Sequence, residues 1–213
     1  MARKTKADAQ LTRDQLLDAA EYLFQRRGVS RTSLQQIADH AGLTRGAIYW
    51  HFKDKGELFC AVMERVHLPF EEIIARMRQD TSRDPLSRLR YLVLEGFHRV
   101  QTDERTRRVF EIACHKVEIV DEIKAVLDRR EESRDEFLKM IADEIAAARQ
   151  AGQIRPDLNP CLAAFALHAM LDGLIYNWLL CSQEHDLVAL GSQSYDIFVA
   201  GLQAPATRLG ATV

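Results

Sequence analysis

The stretch that decides the fold is TSLQQIADHAGLTRGAIYWHFKDKGELF, residues 32–59. Thr32 and Gln35 have the spacing of a capping box and open a short helix with Leu34, Ile37, Ala38 and Ala41 on one side. Gly42 ends that helix. Thr44 caps a second short helix through Ala47, Ile48 and Phe52. Asp54 and Glu57 form another box and open a longer helix carrying Leu58, Phe59, Val62, Met63 and Val66. Two short helices joined by the tight link AGLT make a helix-turn-helix pattern. Helices this short do not hold by themselves, so the flanking helices must supply the packing. Upstream, Thr12 and Gln15 form a further box, which predicts a helix from there to Arg27 that stops at Gly28. Its Leu16, Ala19, Ala20, Leu23 and Phe24 recur at three and four residues as one buried stripe.

The outward face of the second short helix carries Thr44, Arg45, Gly46, Tyr49 and His51. Arg45 has the reach for a bidentate bond to a guanine edge; Thr44, Tyr49 and His51 are donors to phosphate oxygens. Gly46 has no side chain and lets the helix lie close to a groove floor. Glycine costs about 1 kcal/mol in a helix interior, so its place here suggests a steric need. Lys55 stands at the positive N-terminus of the longer helix, a ready phosphate site. Trp50 is expected to pack between helices rather than touch a base.

Working outward, the composition excludes several classes. The 213 residues are 47% hydrophobic and 28% charged, which fits neither a disordered tail nor a membrane bundle. No proline falls between Leu86 and Arg155, and the glycines there are Gly96 and Gly152. That points to long helices and away from an all-β fold. Residues 1–10 are polar and lack a signal-peptide apolar run, so a cytoplasmic protein is expected. Cys60, Cys114, Cys161 and Cys181 show no zinc spacing, and each has apolar neighbours in sequence, as core thiols do. No HExxH, GxSxG, P-loop or dinucleotide fingerprint is present. The chain therefore gives no sign of an enzyme, and neither a cofactor nor a metal is expected.

The net charge of −2 hides an asymmetry: residues 1–56 hold ten Lys/Arg against six Asp/Glu, and the rest hold nineteen against twenty-five. A small basic head on an acidic body suggests that only the head meets a polyanion. The stretch TRDQLLDAAEYLFQRRGVSRTSLQQIADHAGLTRGAIYWHFKDKGELF resembles the DNA-binding domain of the TetR/AcrR family of bacterial repressors. The opening MARKTKADAQLTRDQ and the RTRR at Arg105–Arg108 resemble the branch that controls multidrug efflux pumps. The resemblance implies DNA contacts at Ser33, Thr44, Arg45, Gly46, Tyr49, His51 and Lys55. The basic leader (Arg3, Lys4, Lys6) resembles an arm that follows phosphate or enters a minor groove; a leader that binds nothing fits the residues nearly as well.

The body reads as helical throughout, about nine helices for the chain. The expectation is thus an all-α fold: residues 1–56 a helix-turn-helix DNA-binding domain with its arm, residues 57–213 a helical ligand-binding and dimerisation domain. The helix opened at Asp54 is expected to break or bend near Pro69. Asp84 with Pro85 opens another helix. Helical pattern resumes after Asp103 and from about Glu118 to Ala151. The charge run DRREESRDE is a solvated face, with Glu131–Asp135 and Arg130–Arg134 as repelling i,i+4 pairs. From Leu162 to Cys181 the chain is almost wholly apolar, long enough to span a membrane. His168, Asp172, Gly173 and Asn177 in its middle argue instead for a helix buried on two sides, and no membrane partner is expected.

On one side of that helix fall Ala163, Leu167, Met170, Leu174 and Cys181, with Trp178 at the edge. This side is expected to pack against a twin, because helix-turn-helix repressors work as two-fold dimers on pseudo-palindromic sites. The final helix, with Leu190, Tyr195, Phe198, Val199 and Leu202, would complete the interface. His168, Asp172 and Tyr176 fall on the other side and would face the interior of their own subunit. An acid there is costly unless paired, which marks a candidate ligand group; mutual satisfaction of His168 and Asp172 is the competing reading. The resemblance implies that Leu92, Val93, Phe110, Cys114, Phe137, Ile141, His168, Leu171, Asp172 and Tyr176 line a drug pocket. This branch also carries more polar residues at Phe110 and Cys114, which leaves the preferred ligand open.

The expected function is a dimeric repressor of a multidrug efflux operon, bound to double-stranded operator DNA and released by a small hydrophobic or aromatic effector. A TetR-type regulator of another metabolic or signalling operon, or one gated by a protein partner, is the alternative. An enzyme using His168 and Asp172 as an acid–base pair ranks below both, since no nucleophile accompanies them.

Overall fold

The structure, a computed structural model, describes residues 6–117, 124–181 and 184–204, and their side chains except at 67–69 and 124–133. Among these residues it is all α, without a strand. The helices are α1 (Lys6–Arg27), α2 (Leu34–His40), α3 (Arg45–His51), α4 (Lys55–Gln79), α5 (Pro85–Thr102), α6 (Glu104–His115), α7 (Lys124–Gln150), α8 (Pro160–Leu180) and α9 (Leu187–Gln203). The chain divides into two compact units, Met1–Glu71 with Thr102–Ser133, and Glu72–Gln101 with Arg134–Val213.

In the first unit α1 packs on α2, α3 and α6, and α2 packs on α3. Leu16, Phe24, Ile37, Ile48, Phe52 and Phe59 are buried together with Val109 and Ile112 of α6. Each such side chain contributes about 1.5–3 kcal/mol when removed from water, which is what keeps the seven-residue α2 and α3 folded. The head expected over residues 1–56 is therefore part of a larger packed body that draws in α6 and the start of α4. Gly42 has φ +67°, a left-handed conformation that lets the chain turn between α2 and α3.

Several caps differ from their sequence signals. α1 begins at Lys6, and Thr12 lies buried within it, its hydroxyl donating to Asp8 O at 2.8 Å. The box at Thr12 and Gln15 thus falls inside a helix already under way. Thr32 donates to Gly28 O at 2.8 Å, so the N-cap of α2 passes to Ser33, which makes a capping box with Gln36 instead of Gln35. Thr44 caps α3 as expected, accepting from Ala47 N at 3.2 Å. Asp54 accepts from Glu57 N, but Glu57 reaches back to Lys53 N. α4 is helical through residue 69 without the expected break.

In the second unit Pro85 opens α5, and Asp84 accepts from Ser87 N and from Gln153 Nε2. The buried Tyr195 hydroxyl donates to Leu86 O at 2.7 Å, and burial pushes its phenol well above the usual value. Arg88 ties α5 to Glu144 of α7 at 2.7 Å. α9 meets α5 at Gly191, where a Cβ would lie 2.0 Å from the Phe97 ring, so only glycine allows that approach. Asn159 caps α8, with Pro160 at its start, and α8 packs on α9. The leader residues Arg3 and Lys4, the start of the stretch expected from Glu118, and the pairs Glu131–Asp135 and Arg130–Arg134 lie outside what is described. The cysteines depart from core packing: Cys161 and Cys181 are exposed, Cys60 and Cys114 half-buried.

Candidate functional site

The surface built by α2 and α3 starts from two caps. Ser33 and Thr44 each hold the first turn of a short helix with the hydroxyl oxygen, which keeps both side chains at the outer end of their helices, exposed. Arg45, Gly46 and Tyr49 follow on the exposed side of α3, with Ile48 buried beneath them. The Arg45 guanidinium stands over the Tyr49 ring at 5.5 Å, a contact that directs the charged head. Gly46 has an ordinary helical backbone. A Cβ there would meet only Thr44 Oγ1, at 3.9 Å, so nothing within the subunit demands glycine at this position.

Beside α3 lies an open depression of about 650 Å³. Ser33, Arg45, Tyr49 and Lys55 line it, joined by Arg31 and Lys53. Four cations against the single carboxylate of Asp54 give this concavity a positive field. Lys55 donates to Ser30 O at 3.2 Å, which fixes its ammonium toward the rim of the same depression. The structure thus unites four of the seven sequence-derived positions around one concavity. Thr44 and Gly46 lie on the adjoining exposed ridge of α3, and His51 is half-buried, edge-on to the Trp50 ring at 4.5 Å. Arg31 and Lys53 were missed; their signal was a basic side chain two residues before the Ser33 cap and one residue before Asp54.

Trp50 corrects the sequence reading. It is 73% exposed rather than packed between helices, because Ile48 and Phe52 already fill the core side of α3.

The faces of α8 also depart in part from expectation. Ala163, Leu167 and Trp178 are buried within their own unit, the Trp178 indole donating to His185 O at 2.7 Å. Met170 and Leu174 are half-buried. In α9, Tyr195 and Leu202 are buried too. Side chains already removed from water in one subunit have little left to bury against another. The open stripe is instead Leu162, Phe165, Ala166, Ala169, Tyr176 and Leu180, with Ile197 on α9. Asp172, expected inside, has a 66% exposed side chain, paired with His168 Nδ1 at 3.2 Å. At that exposure the carboxylate keeps its water, so the argument from a costly buried acid does not apply to it.

Of the remaining expected ligand positions, Leu92, Val93 and Ile141 are buried in the second unit, and Phe137 and Leu171 are half-buried there. Phe137 stands edge-on to His168 at 5.7 Å. Phe110 and Cys114 lie on α6 in the first unit, Phe110 against Phe70 at 5.9 Å. Among the described residues no group of three or more His, Cys, Asp or Glu has the arrangement of a metal site.

Known proteins resemble the chain over nearly its whole length. The profile of bacterial regulatory proteins of the tetR family matches residues 16–62, and that of the C-terminal region of MAATS-type transcriptional repressors matches residues 84–203. The chain is 40% identical to the HTH-type transcriptional regulator TtgR of Pseudomonas putida over 188 residues, 88% of this chain and 90% of the relative. Among solved structures it is similar to NalD, the secondary repressor of the MexAB-OprM multidrug efflux pump in Pseudomonas aeruginosa. That match has a TM-score of 0.84 at 34% identity and covers 93% of this chain and 98% of the other. The SmeT–triclosan complex matches with a TM-score of 0.77 at 34% identity, covering 96% and 100%; SmeT represses the Stenotrophomonas maltophilia efflux pump SmeDEF.

Proposed function

The chain belongs to the TetR family of bacterial regulatory proteins, and we propose that it represses a multidrug efflux operon as a homodimer released from its operator by small hydrophobic or aromatic compounds. The observation that carries the reading is the exposed Thr44–Arg45–Gly46–Tyr49 edge of α3 beside a depression ringed by Arg31, Arg45, Lys53 and Lys55. Arg45 reads base edges in the major groove while the other cations, Ser33 and Tyr49 hold phosphates. A dimer places two copies of α3 about 34–36 Å apart, in successive major grooves. The apolar stripe of Leu162, Phe165, Tyr176 and Leu180 on α8 supports the second copy: water-exposed leucine and phenylalanine in one row mark an interaction surface. The same stripe helps make α8 apolar enough, over 21 residues, to resemble a membrane span by length and composition alone. Such a regulator works in the cytoplasm, where the chromosome is.

The effector binds in the helical body, and Leu92, Val93, Phe137, Ile141, His168 and Leu171 of the second unit are the side chains we assign to it. It favours a conformer in which the two heads no longer match the groove spacing. Differential affinity is the only thing that moves this equilibrium; a ~100-fold loss of DNA affinity needs about 2.7 kcal/mol. The efflux assignment is supported by NalD and SmeT, and triclosan, seen bound to SmeT, is the first compound to try. Fluorescence anisotropy of a labelled duplex from upstream of the protein's own gene tests the proposal, with and without triclosan and a panel of planar aromatic compounds. Tight, salt-sensitive binding that weakens with at least one compound is expected. Failure to bind the duplex at low salt overturns the operator reading, and affinity unmoved by every compound overturns release by ligand.

A further inference from the structure

We propose that Glu21 is a positioning residue for operator recognition: a buried carboxylate on α1, gripped by Arg65 of α4 and faced by Arg105 and Arg108 of α6, that sets the pose of α1 and with it that of α3. The inference rests on the operator-binding reading above.

Glu21 is 1% exposed, on the same inward face of α1 as Leu17 and Phe24. A carboxylate is a poor choice for such a place unless its charge is answered, and here three guanidinium groups answer it. Arg65 Nη1 donates to Glu21 Oε1 and, at 2.6 Å, to Asp18 Oδ1. Burial by itself would lower the Arg65 guanidinium, but its hydrogen bonds to Glu21 and Asp18 outweigh that and raise it above its ordinary value. On the other side, Arg105 Nε and Arg108 Nη1 each stand 3.7 Å from Glu21 Oε2, and that oxygen accepts no hydrogen bond. The two arginines spend their closer contacts elsewhere: Arg105 on Asp18 at 3.1 Å, Arg108 on Glu104 at 2.6 Å.

The arrangement is lopsided in an informative way. The grip of α4 on Glu21 is a short hydrogen bond, while the grip of α6 is Coulombic attraction at a distance. Buried ion pairs add little stability compared with apolar residues of the same size, and their best-attested use is to select one register. A register is what this cluster defines. α1 and α6 run in parallel and meet at successive turns: Asp18 and Glu21 with Arg105 and Arg108, then Gln25 Nε2 with Glu111 Oε2 at 2.7 Å, then Val29 N with Lys116 O at 2.9 Å. The same α1 shares its core side, through Leu16, Ala20 and Phe24, with Ile37 of α2 and Ile48 of α3. A small turn or slide of α1 therefore moves the recognition helix, and Glu21 is where α4 and α6 both hold α1 by charge.

The test compares Glu21→Gln and the double variant R105Q/R108Q with the unmodified protein. Each is measured for affinity to the duplex upstream of its own gene and to an unrelated duplex of equal length, with thermal melting as a check on folding. Glu21→Gln removes a negative charge from a DNA-binding head. By charge alone, both duplexes would bind it more tightly. Positioning predicts the opposite for the specific duplex: its preference over the unrelated one falls at least tenfold, while binding to the unrelated duplex is held or rises. R105Q/R108Q, whose side chains are partly exposed, is expected to lose preference in the same direction; it decides the matter if Glu21→Gln does not fold. Preference within threefold of the unmodified protein in the folded variants overturns the proposal. An unmodified protein that shows no preference between the duplexes overturns the operator reading itself, and this inference with it.

Discussion

Replacing Gly46 by alanine separates what the subunit needs at that position from what DNA needs. The new Cβ would meet only Thr44 Oγ1, at 3.9 Å, an ordinary van der Waals contact, and the backbone is one that alanine adopts freely. Alanine is favoured over glycine by about 1 kcal/mol in a helix interior. Gly46 is the second residue of a seven-residue helix, so roughly half of that applies, about 0.5 kcal/mol. For a chain of this size, that raises the melting temperature by about 1–2 °C. On DNA the sign reverses. If α3 lies with Gly46 against the groove, the added methyl forces the helix outward and loosens the Arg45 base contact, worth about 1–3 kcal/mol in each head. For two heads the loss is at least about 2 kcal/mol, ~30-fold in Kd. Differential scanning calorimetry and anisotropy titration of the same preparation read the two effects. A higher melting temperature with unchanged operator affinity would refute the close approach of α3 to the groove. A lower melting temperature would refute the reading that the subunit leaves this position open.

Four further outcomes follow from the geometry. Gly191→Ala places a Cβ 2.0 Å from the Phe97 ring, itself 2% exposed; overpacking of this kind costs about 1–3 kcal/mol, and urea titration should show it. Phe165→Glu puts a charge on the exposed α8 stripe and should convert dimer to monomer in analytical ultracentrifugation without unfolding the subunit. Leu167→Ala, at 0% exposure, should instead cost about 2–5 kcal/mol of stability; a dimer that survives Phe165→Glu would remove this stripe as the interface. Hydrogen bonds from Gln153 and then Ser87 hold the Asp84 carboxyl down at about 2 in the folded protein. A depressed folded value means stability that is present above the unfolded pKa near 4 and lost as pH falls toward 2. Because Asp84 is exposed, solvent screening limits this to about 1 kcal/mol or less. Asp84→Asn should flatten the melting curve's pH dependence in that window, and an unchanged slope would refute the assignment.

Much of the surface built by α2 and α3 was legible because it depends on local rules. Caps, the turn glycine and the apolar spacing of residues 32–59 place Thr44, Arg45 and Tyr49 on one side of a short helix whatever the rest of the chain does. The departures in this region are short: Thr32 lost the cap to Ser33 because Gly28 O took its hydroxyl, and α1 began six residues before Thr12. Trp50 was misplaced because an aromatic ring in a short helix suits either a core or an exposed ridge, and only the filled positions at Ile48 and Phe52 decide.

What the amino-acid order determined by itself was the all-α class, the helix-turn-helix and the sign of charge on its outer face, since hydrogen-bond caps and periodicity act within a few residues. What tertiary structure alone decided was the phase of α8 and the partners of Glu21. Apolar residues surround α8 on every side, so its rotation is set by which of them α9 and the rest of its unit cover; Leu167 went in and Phe165 stayed out. Glu21 reads as one more surface acid until α4 and α6 bring Arg65, Arg105 and Arg108 to it across 44 residues of chain and more. Contacts that distant leave no periodic trace in a sequence, because the energy that forms them belongs to the packed helices and to no single one of them.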